Sequence, residues 1–302
     1  MTRYIRLILP LAGLWIFSCA SPEPHHAATG LRARDDLGHT VFVSAPPTRI
    51  VSLAPSITET LFALGLDSAV VGVTDYCDYP PQVSHLPRVG GMLNPAMEQI
   101  VSLRPDLVFM SGSGNLRSDY AQLSDLGLTV FVSYPRDLDG VLKSILDIGT
   151  LTGRDTRADS LVGSLRSQAN RIRSLARENP HRTVLVLVSL RPLISVGPKT
   201  FLDEMIRLCN ATNVAARAPT AYPMMSREEI LAADPDRIVV TSDAVTGPSD
   251  LYGAFSEWHR LRAVADSSVI LVNADTMTRP GPRIIQGLQE LYAAIHGPIP
   301  PP

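Results

Sequence analysis

An internal repeat limits the folds open to this chain more than any other feature of the sequence. The segments NPAMEQIVSLRPDLVF (94–109) and SREEILAADPDRIVV (226–240) share the pattern E-x-I-x-x-x-x-P-D-x-[VI]-[FV], with Glu98 and Glu228 in register. In each copy a short amphipathic run passes through a Pro-Asp turn into an apolar run, the signature of helix, turn and buried strand. One copy falls in each half of a chain of 302 residues, a length above the common size of one domain. The expectation is two related α/β lobes.

The rest of the chain fits that frame. From Arg49 onward strand-like and helix-like runs alternate as IVSLA, TETLFALG, AVVGVT, MEQIVSL, DLVFM, DYAQLSDLG and TVFVS. Such alternation predicts a mostly parallel sheet flanked by helices. Ahead of it, Leu31 to Pro47 reads as a small strand pair turning at Leu37-Gly38. No proline occurs from Asp137 to Asn179, and beyond Asp155 apolar residues recur at Leu161, Val162, Leu165, Ala169, Ile172 and Leu175 or Ala176. Offsets of three and four predict one helix of about 24 residues, roughly 36 Å long at 1.5 Å per residue. A second series opens with TVLVLVS (183–189) and closes in a helix near Pro282 to Ile295. The expected layout is a first lobe over 31–136, an interlobe helical segment over 137–180, a second lobe over 181–297 and a tail over 298–302.

The first 30 residues have another purpose. Arg3 and Arg6 precede the apolar run LILPLAGLWIF, and Ile16-Phe17-Ser18-Cys19 follows. This is a signal-peptide layout over 1–18, too short and too interrupted by Pro and Gly for a membrane span. An apolar residue three before a cysteine, with a small one just before it, resembles a bacterial lipobox. That resemblance implies cleavage ahead of Cys19 and lipidation of its thiol, and so a membrane-anchored lipoprotein in the periplasm or at the cell surface. The alternative is an ordinary secretory peptide with an incidental cysteine. ASPEPHHAATG, which follows, has no apolar period and reads as a flexible tether over 19–30. Cys77 and Cys209 are then expected to be free thiols, since nothing in their spacing selects a bridge.

Several function classes find no support. A formal net charge of −2 without a Lys/Arg stripe disfavours nucleic-acid binding. The histidines beyond the tether (His39, His85, His181, His259 and His296) stand singly, with no Cys-x-x-Cys and no paired His spacing for a metal. In VSLAPSITETLFALG (51–65), Ser56 follows a strand like a hydrolase nucleophile, but its neighbours Ala54 and Thr58 do not make the G-x-S-x-G elbow. Capping of the following helix by Ser56 or Thr58 is the better reading, with Glu59 in its first turn. Ser56 or Ser113 as the nucleophile of a cell-surface hydrolase is the different-class alternative. The run SGSGN (111–115) is flexible enough to approach a ligand closely. Both repeat carboxylates lie near helix starts: Asn94-Pro95 reads as an N-cap with Pro at the first helical position, and Ser226 with Glu229 as a capping box. Local physics alone makes Glu98 and Glu228 helix-dipole partners.

Taken together, RIVSLAPSITETLFALG, VVGVTDYCDYPP, LPRVGGMLNPAMEQIVSLRPDLV, MSREEILAADPDRIVV and RPGPRIIQGL resemble the periplasmic substrate-binding proteins of the cobalamin and iron-siderophore ABC importers, the cobalamin-binding branch above all. The similarity runs from about Leu31 to His296. It implies two Rossmann-like lobes with mostly parallel sheets, joined by one long rigid helix, with ligand in the cleft between them. It also implies a monomeric, non-catalytic receptor with no resident cofactor and no metal of its own, handing a corrinoid or related metal chelate to an ABC permease dimer. By that resemblance Glu98 and Glu228 dock onto the two permease subunits, and Tyr76, Met92, Tyr222, Asp275 and Arg279 fall in the cleft. Ser113 and Asn115 of the glycine-containing run join them as candidates. Arg191 and Arg279 are the candidate cations for an anionic siderophore. A broad amphipathic macrocycle is matched by aromatic and thioether faces with a few polar groups at its rim. A ferric-siderophore or haem receptor is the alternative of the same class.

Overall fold

The structure, a computed structural model, describes residues 30–244 and 256–301. The signal peptide, Cys19 and the tether to residue 29 lie outside the described residues. An antiparallel pair, β1 (Leu31–Arg34) and β2 (Thr40–Val43), opens the chain. Then come β3 (Ile50–Ser52), α1 (Pro55–Ala63), β4 (Val70–Val73), α2 (Met97–Ser102), β5 (Leu107–Ser111), α3 (Arg117–Asp125) and β6 (Val130–Ser133). Two long helices, α4 (Leu138–Thr152) and α5 (Asp155–Arg177), lead into β7 (Arg182–Leu190), β8 (Leu193–Ser195), α6 (Phe201–Leu208), β9 (Ala211–Asn213), α7 (Arg227–Ala233), β10 (Arg237–Thr241) and β11 (Val269–Val272). Helix Ile284–His296 closes the fold.

The two lobes have the same topology. The first sheet runs β4-β3-β5-β6, all parallel. In the second, β9, β10 and β11 reproduce this arrangement around β7 in the order β9-β7-β10-β11, again all parallel, and β8 is an added antiparallel strand. Strands β5 and β6 are buried along their whole length, as parallel strands covered on both faces must be. The Pro-Asp turns of the repeat explain themselves here. Asp106 Oδ2 accepts from Thr48 N, Thr48 Oγ1 and Arg49 N at 2.8–3.1 Å. Asp236 Oδ2 accepts from Thr183 N at 2.8 Å and Thr183 Oγ1 at 2.9 Å. Each aspartate thus ties the start of its lobe's third parallel strand to the start of the first. Burial pushes both carboxyls up, but these donated hydrogen bonds outweigh it and hold them below the ordinary carboxylate value.

Some local expectations change. Helix α2 begins at Met97, and its N-cap is Ala96 without a side-chain cap. Asn94 belongs instead to a tight turn in which Ala96 N donates to Val89 O at 2.8 Å. Helix α1 is capped by neither Ser56 nor Thr58: Ala54 is its N-cap, Pro55 its first residue, and Thr58 Oγ1 lies 2.8 Å from Ser52 Oγ inside the lobe. The Ser226–Glu229 capping box does form, with Glu229 N donating to Ser226 Oγ and Ser226 N to Glu229 Oε2. Cys77 and Cys209 are buried and free.

The lobes are joined through the expected helical segment, in which α4 precedes the long helix α5 and packs along it. Asp137 caps α4 by accepting from Gly140 N at 2.7 Å, and Glu204 of α6 accepts from Leu138 N at 2.6 Å. Helix α5 has 23 residues, and Ala158, Val162, Leu165, Ala169, Ile172 and Ala176 form its buried stripe at alternating spacings of four and three. Helix α4 touches β1 and α1 on one side and α6 on the other, while α5 packs on α4, α6 and the closing helix. One apolar cluster consequently runs from Ile50, Phe109 and Phe131 through Leu142 and Leu165 to Val186 and Leu288.

A buried ion network completes the junction. Glu59 of α1, its side chain only 2% exposed, receives Arg283 Nε at 2.8 Å and Nη2 at 2.6 Å from the second lobe. Arg279 reaches Glu59 at 3.3 Å, Asp78 at 2.6 Å and Asp275 at 2.6 Å. The Arg283 guanidinium also lies over the Tyr79 ring, 4.1 Å from its centroid. Beside the network Gly281 touches α1 so closely that a Cβ there would sit 3.0 Å from Ser56 O. Ser56 is therefore an interlobe contact. Truncating Glu59 to Ala leaves the half-buried Arg283 without its carboxylate and Arg279 short of one of three, at a cost of up to about 3–5 kcal/mol. The expected result is a clear fall in the urea midpoint, partly recovered by the apolar pair Glu59→Leu/Arg283→Met. An unchanged midpoint in Glu59→Ala would show that the network does not hold the lobes together.

Candidate functional site

In doubly wound sheets ligands bind beyond the carboxyl ends of the strands, where the strand order reverses. Both lobes carry candidate residues at those ends: Tyr76 after β4, Ser113 and Asn115 after β5, Arg191 after β7, Tyr222 after β9, and Asp275 and Arg279 after β11. Between the lobes lies a cavity of ≈370 Å³. The first lobe lines it with Ser113, Tyr134 and Arg136, and the second with Lys199, Phe201 and Tyr222.

Tyr222 is held there by backbone pairing. Ser195 N donates to Pro223 O at 3.0 Å and Gly197 N to Ala221 O at 2.8 Å, so the 221–223 segment runs against the end of β8. The approach requires glycine at 197, where a Cβ would sit 2.1 Å from Thr220 O. Tyr222 is 49% exposed as a residue, but burial around its hydroxyl pushes the phenol up, and the nearby Tyr134 adds to the shift.

The SGSGN run is closed on itself, not loose. Asn115 Oδ1 accepts from Ser111 N at 2.8 Å, and Asn115 Nδ2 donates to Met92 O at 2.7 Å and to Leu53 O at 3.2 Å. Asn115 thereby ties the ends of β3 and β5 to the Met92 loop, and its amide is fully engaged with backbone. Ser113 Oγ lies 2.9 Å from Ser111 Oγ. Neither Ser113 nor Ser56 is hydrogen-bonded to a histidine among the described residues, so neither has the base a nucleophile needs.

The remaining candidates separate by position. Tyr76 is 61% exposed and its ring lies beside Gly91, next to the half-buried Met92. Asp275 and Arg279 belong to the interlobe network, and Arg279 donates to three carboxylates. Its neighbours Thr278 and Pro280 line the cavity. Arg191 stands exposed at the β7–β8 turn, outside the cavity lining. Glu98 and Glu228 are exposed in the first turns of α2 and α7, seated by the fully buried Ile100 and Ile230. Four or five residues upstream, Leu93 is 65% and Met224 72% exposed.

Sequence reasoning missed Tyr134, Arg136 and Lys199 in the cavity, and Asp78 and Arg283 in the network. The lone carboxylate in TETLFALG was the available signal for a buried ion pair, and two arginines four apart in RPGPR the signal for its partner.

Comparison with known proteins gives concordant results. The family pattern described as periplasmic binding protein matches residues 50–276. The ABC transporter substrate-binding lipoprotein YvrC of Bacillus subtilis is 37% identical over 269 residues, covering 87% of this chain and 84% of that one. The crystal structure of the periplasmic vitamin B12 binding protein BtuF of Vibrio cholerae superposes with a TM-score of 0.75 at 28% identity, covering 82% and 96% of the two chains. The periplasmic heme-binding protein RhuT of Roseiflexus sp. RS-1, in apo form, gives the same TM-score and identity over 82% and 97%. On the extent of the family match and of the identity to YvrC, the chain belongs to the periplasmic binding protein family.

Proposed function

We propose that the protein captures a corrinoid, cobalamin or a near relative, in the interlobe cleft and delivers it to an ABC importer. Family membership makes it a binding protein and not an enzyme, which retires the hydrolase alternative. The observation that carries the ligand class is the pair of phenols, Tyr134 from the first lobe and Tyr222 from the second, that line one cavity together with Phe201. Flat aromatic faces with hydroxyl tips suit a broad macrocycle bearing amides at its rim. At ≈370 Å³ the cavity is at the small end of ligand pockets, so it takes one edge of such a ligand. The exposed Tyr76 and the Met92 loop extend the contact surface. Ser113 and Tyr222 are proposed as direct contacts, Asn115 as the residue that fixes the Met92 loop, and Asp275 with Arg279 as the strut under the cleft. Arg191 remains a peripheral candidate. A haem or ferric-siderophore receptor is the second reading, favoured by the equal structural similarity to a heme-binding protein.

Calorimetric titration with cyanocobalamin, haem and ferric siderophores decides between these readings. Saturable heat with the corrinoid, weakened about tenfold in Tyr222→Ala, is expected. No heat with the corrinoid and tight binding of another chelate would move the assignment to the second reading.

The docking proposal for Glu98 and Glu228 is supported by their position. Each is exposed, makes no ion pair or hydrogen bond among the described residues, and follows an exposed apolar residue on an equivalent connection. Exposed apolar groups beside an unpaired carboxylate suit a partner surface bearing cations. In Glu98→Lys/Glu228→Lys ligand affinity should stay at the wild-type value while uptake by cells collapses, because permease arginines left unpaired cost about 2–5 kcal/mol. Full uptake would return both residues to dipole partners worth a few tenths to about 1 kcal/mol.

The lipid anchor is likewise proposed, on the lipobox resemblance and on the lipoprotein name of the B. subtilis relative. Cys19→Ser should release the protein from the membrane fraction. Wild-type protein that is wholly soluble and carries no acyl mass at its mature N-terminus would defeat the claim.

A further inference from the structure

The interlobe cavity carries a charge pattern that the ligand-binding candidates do not explain. Arg136, just after β6, and Lys199, in the turn ahead of α6, both line it, and no aspartate or glutamate does. Neither cation forms an ion pair or hydrogen bond among the described residues. The nearby interlobe arginines differ, for Arg279 and Arg283 are fully engaged with carboxylates. Arg136 is instead positioned by the Tyr134 ring, with its guanidinium carbon 4.6 Å from the ring centroid. Stacking of that kind leaves the in-plane N–H donors of a guanidinium free. Lys199 has left-handed backbone, φ 60°, which a lysine adopts only at some cost. Thr200 fixes the turn, because its Oγ1 donates to Gly197 O at 3.1 Å and accepts from Asp203 N at 3.1 Å as the cap of α6.

Two like charges on the walls of one cavity, with no counter-charge between them, stabilise an anion placed there. We propose that Arg136 and Lys199 form a two-lobe clamp for an anionic group at the rim of the ligand, a phosphodiester or a carboxylate, with one cation supplied by each lobe. The inference rests on the reading of this cavity as the ligand cleft and adds the chemical requirement that the ligand be negatively charged at one edge. Arginine presents a planar fork to such a group and lysine a compact charge, a pairing suited to an oxyanion approached from two sides. Neither uncharged amides nor a bare apolar ring would use it.

The test titrates the exported chain with three macrocycles. Cyanocobalamin carries a phosphodiester, dicyanocobinamide has the same corrin without one, and haem carries two carboxylates. Wild type is compared with Arg136→Gln, Lys199→Gln and the double variant, and with Arg173→Gln on the exposed face of α5 as control. Each single substitution should weaken the anion-bearing ligand by roughly 10- to 100-fold, the double by at least as much. The loss should shrink at high ionic strength and spare dicyanocobinamide. Arg136 and Lys199 are both exposed, so thermal melting of the variants should match wild type. A loss on cyanocobalamin identifies the phosphodiester as the clamped group. A loss on haem, with no corrinoid bound by wild type, identifies the carboxylate: the clamp stands and the corrinoid reading falls. Wild-type affinity in the double variant for every macrocycle that binds, or an equal loss for dicyanocobinamide, overturns the clamp. Wild-type protein that binds none of the three overturns it together with the reading on which it rests.

Discussion

The arrangement of the two lobes depends on one buried carboxylate. Glu59 projects from α1 of the first lobe into a fork made by Arg283 and Arg279 of the second, and three carboxylates there face two guanidinium groups. An ionised side chain so thoroughly removed from water is tolerable only with its partners in place. The penalty for separating them exceeds any gain from a looser junction, so the network specifies an orientation even where its net contribution to stability is small. Asp78 shows the same coupling at the solvent edge, where the Arg279 guanidinium holds its carboxyl below the ordinary range. The contact of Gly281 with Ser56 adds a steric stop at the same place.

Cleft geometry follows from that junction. Because the four strands common to both sheets are parallel and share one order, the loops at their carboxyl ends can frame a ligand space that arises from topology before any side chain is chosen. Proteins described as binding vitamin B12 and heme share this frame to the same degree, so ligand choice lies in the loops. Tyr76, Tyr134, Arg136 and Tyr222 stand on such loops, and Lys199 on the loop after the added antiparallel strand β8.

What could be read in advance divides along physical lines. The repeat, the Pro-Asp turns, the long helix and the first-turn positions of Glu98 and Glu228 were legible because each depends on a period or motif within about 20 residues. Asn94 and Ser56 were misassigned as caps because residues that favour caps also favour tight turns and close contacts, and tertiary packing decided the outcome. Glu59 was visible as the lone carboxylate of an apolar helix, but its partner Arg283 lies 224 positions away and no local rule connects them. Arg136 and Lys199 were illegible for a different reason. Their significance comes from the carboxylates missing around them, which only the assembled cavity reveals.

The apolar cluster that runs through both lobes and the α4–α5 pair bears on how such a protein changes over evolutionary time. A lobe that shares its core with its neighbour is not a transferable module: exchanging it would expose Leu142, Leu165 and Leu288 to an ill-matched surface. New specificity must therefore come by substitution in the strand-end loops, one contact at a time, and the lobes are bound to diverge together. The two Pro-Asp clamps repeat one device in both halves, so the same substitution has the same mechanical consequence in either lobe.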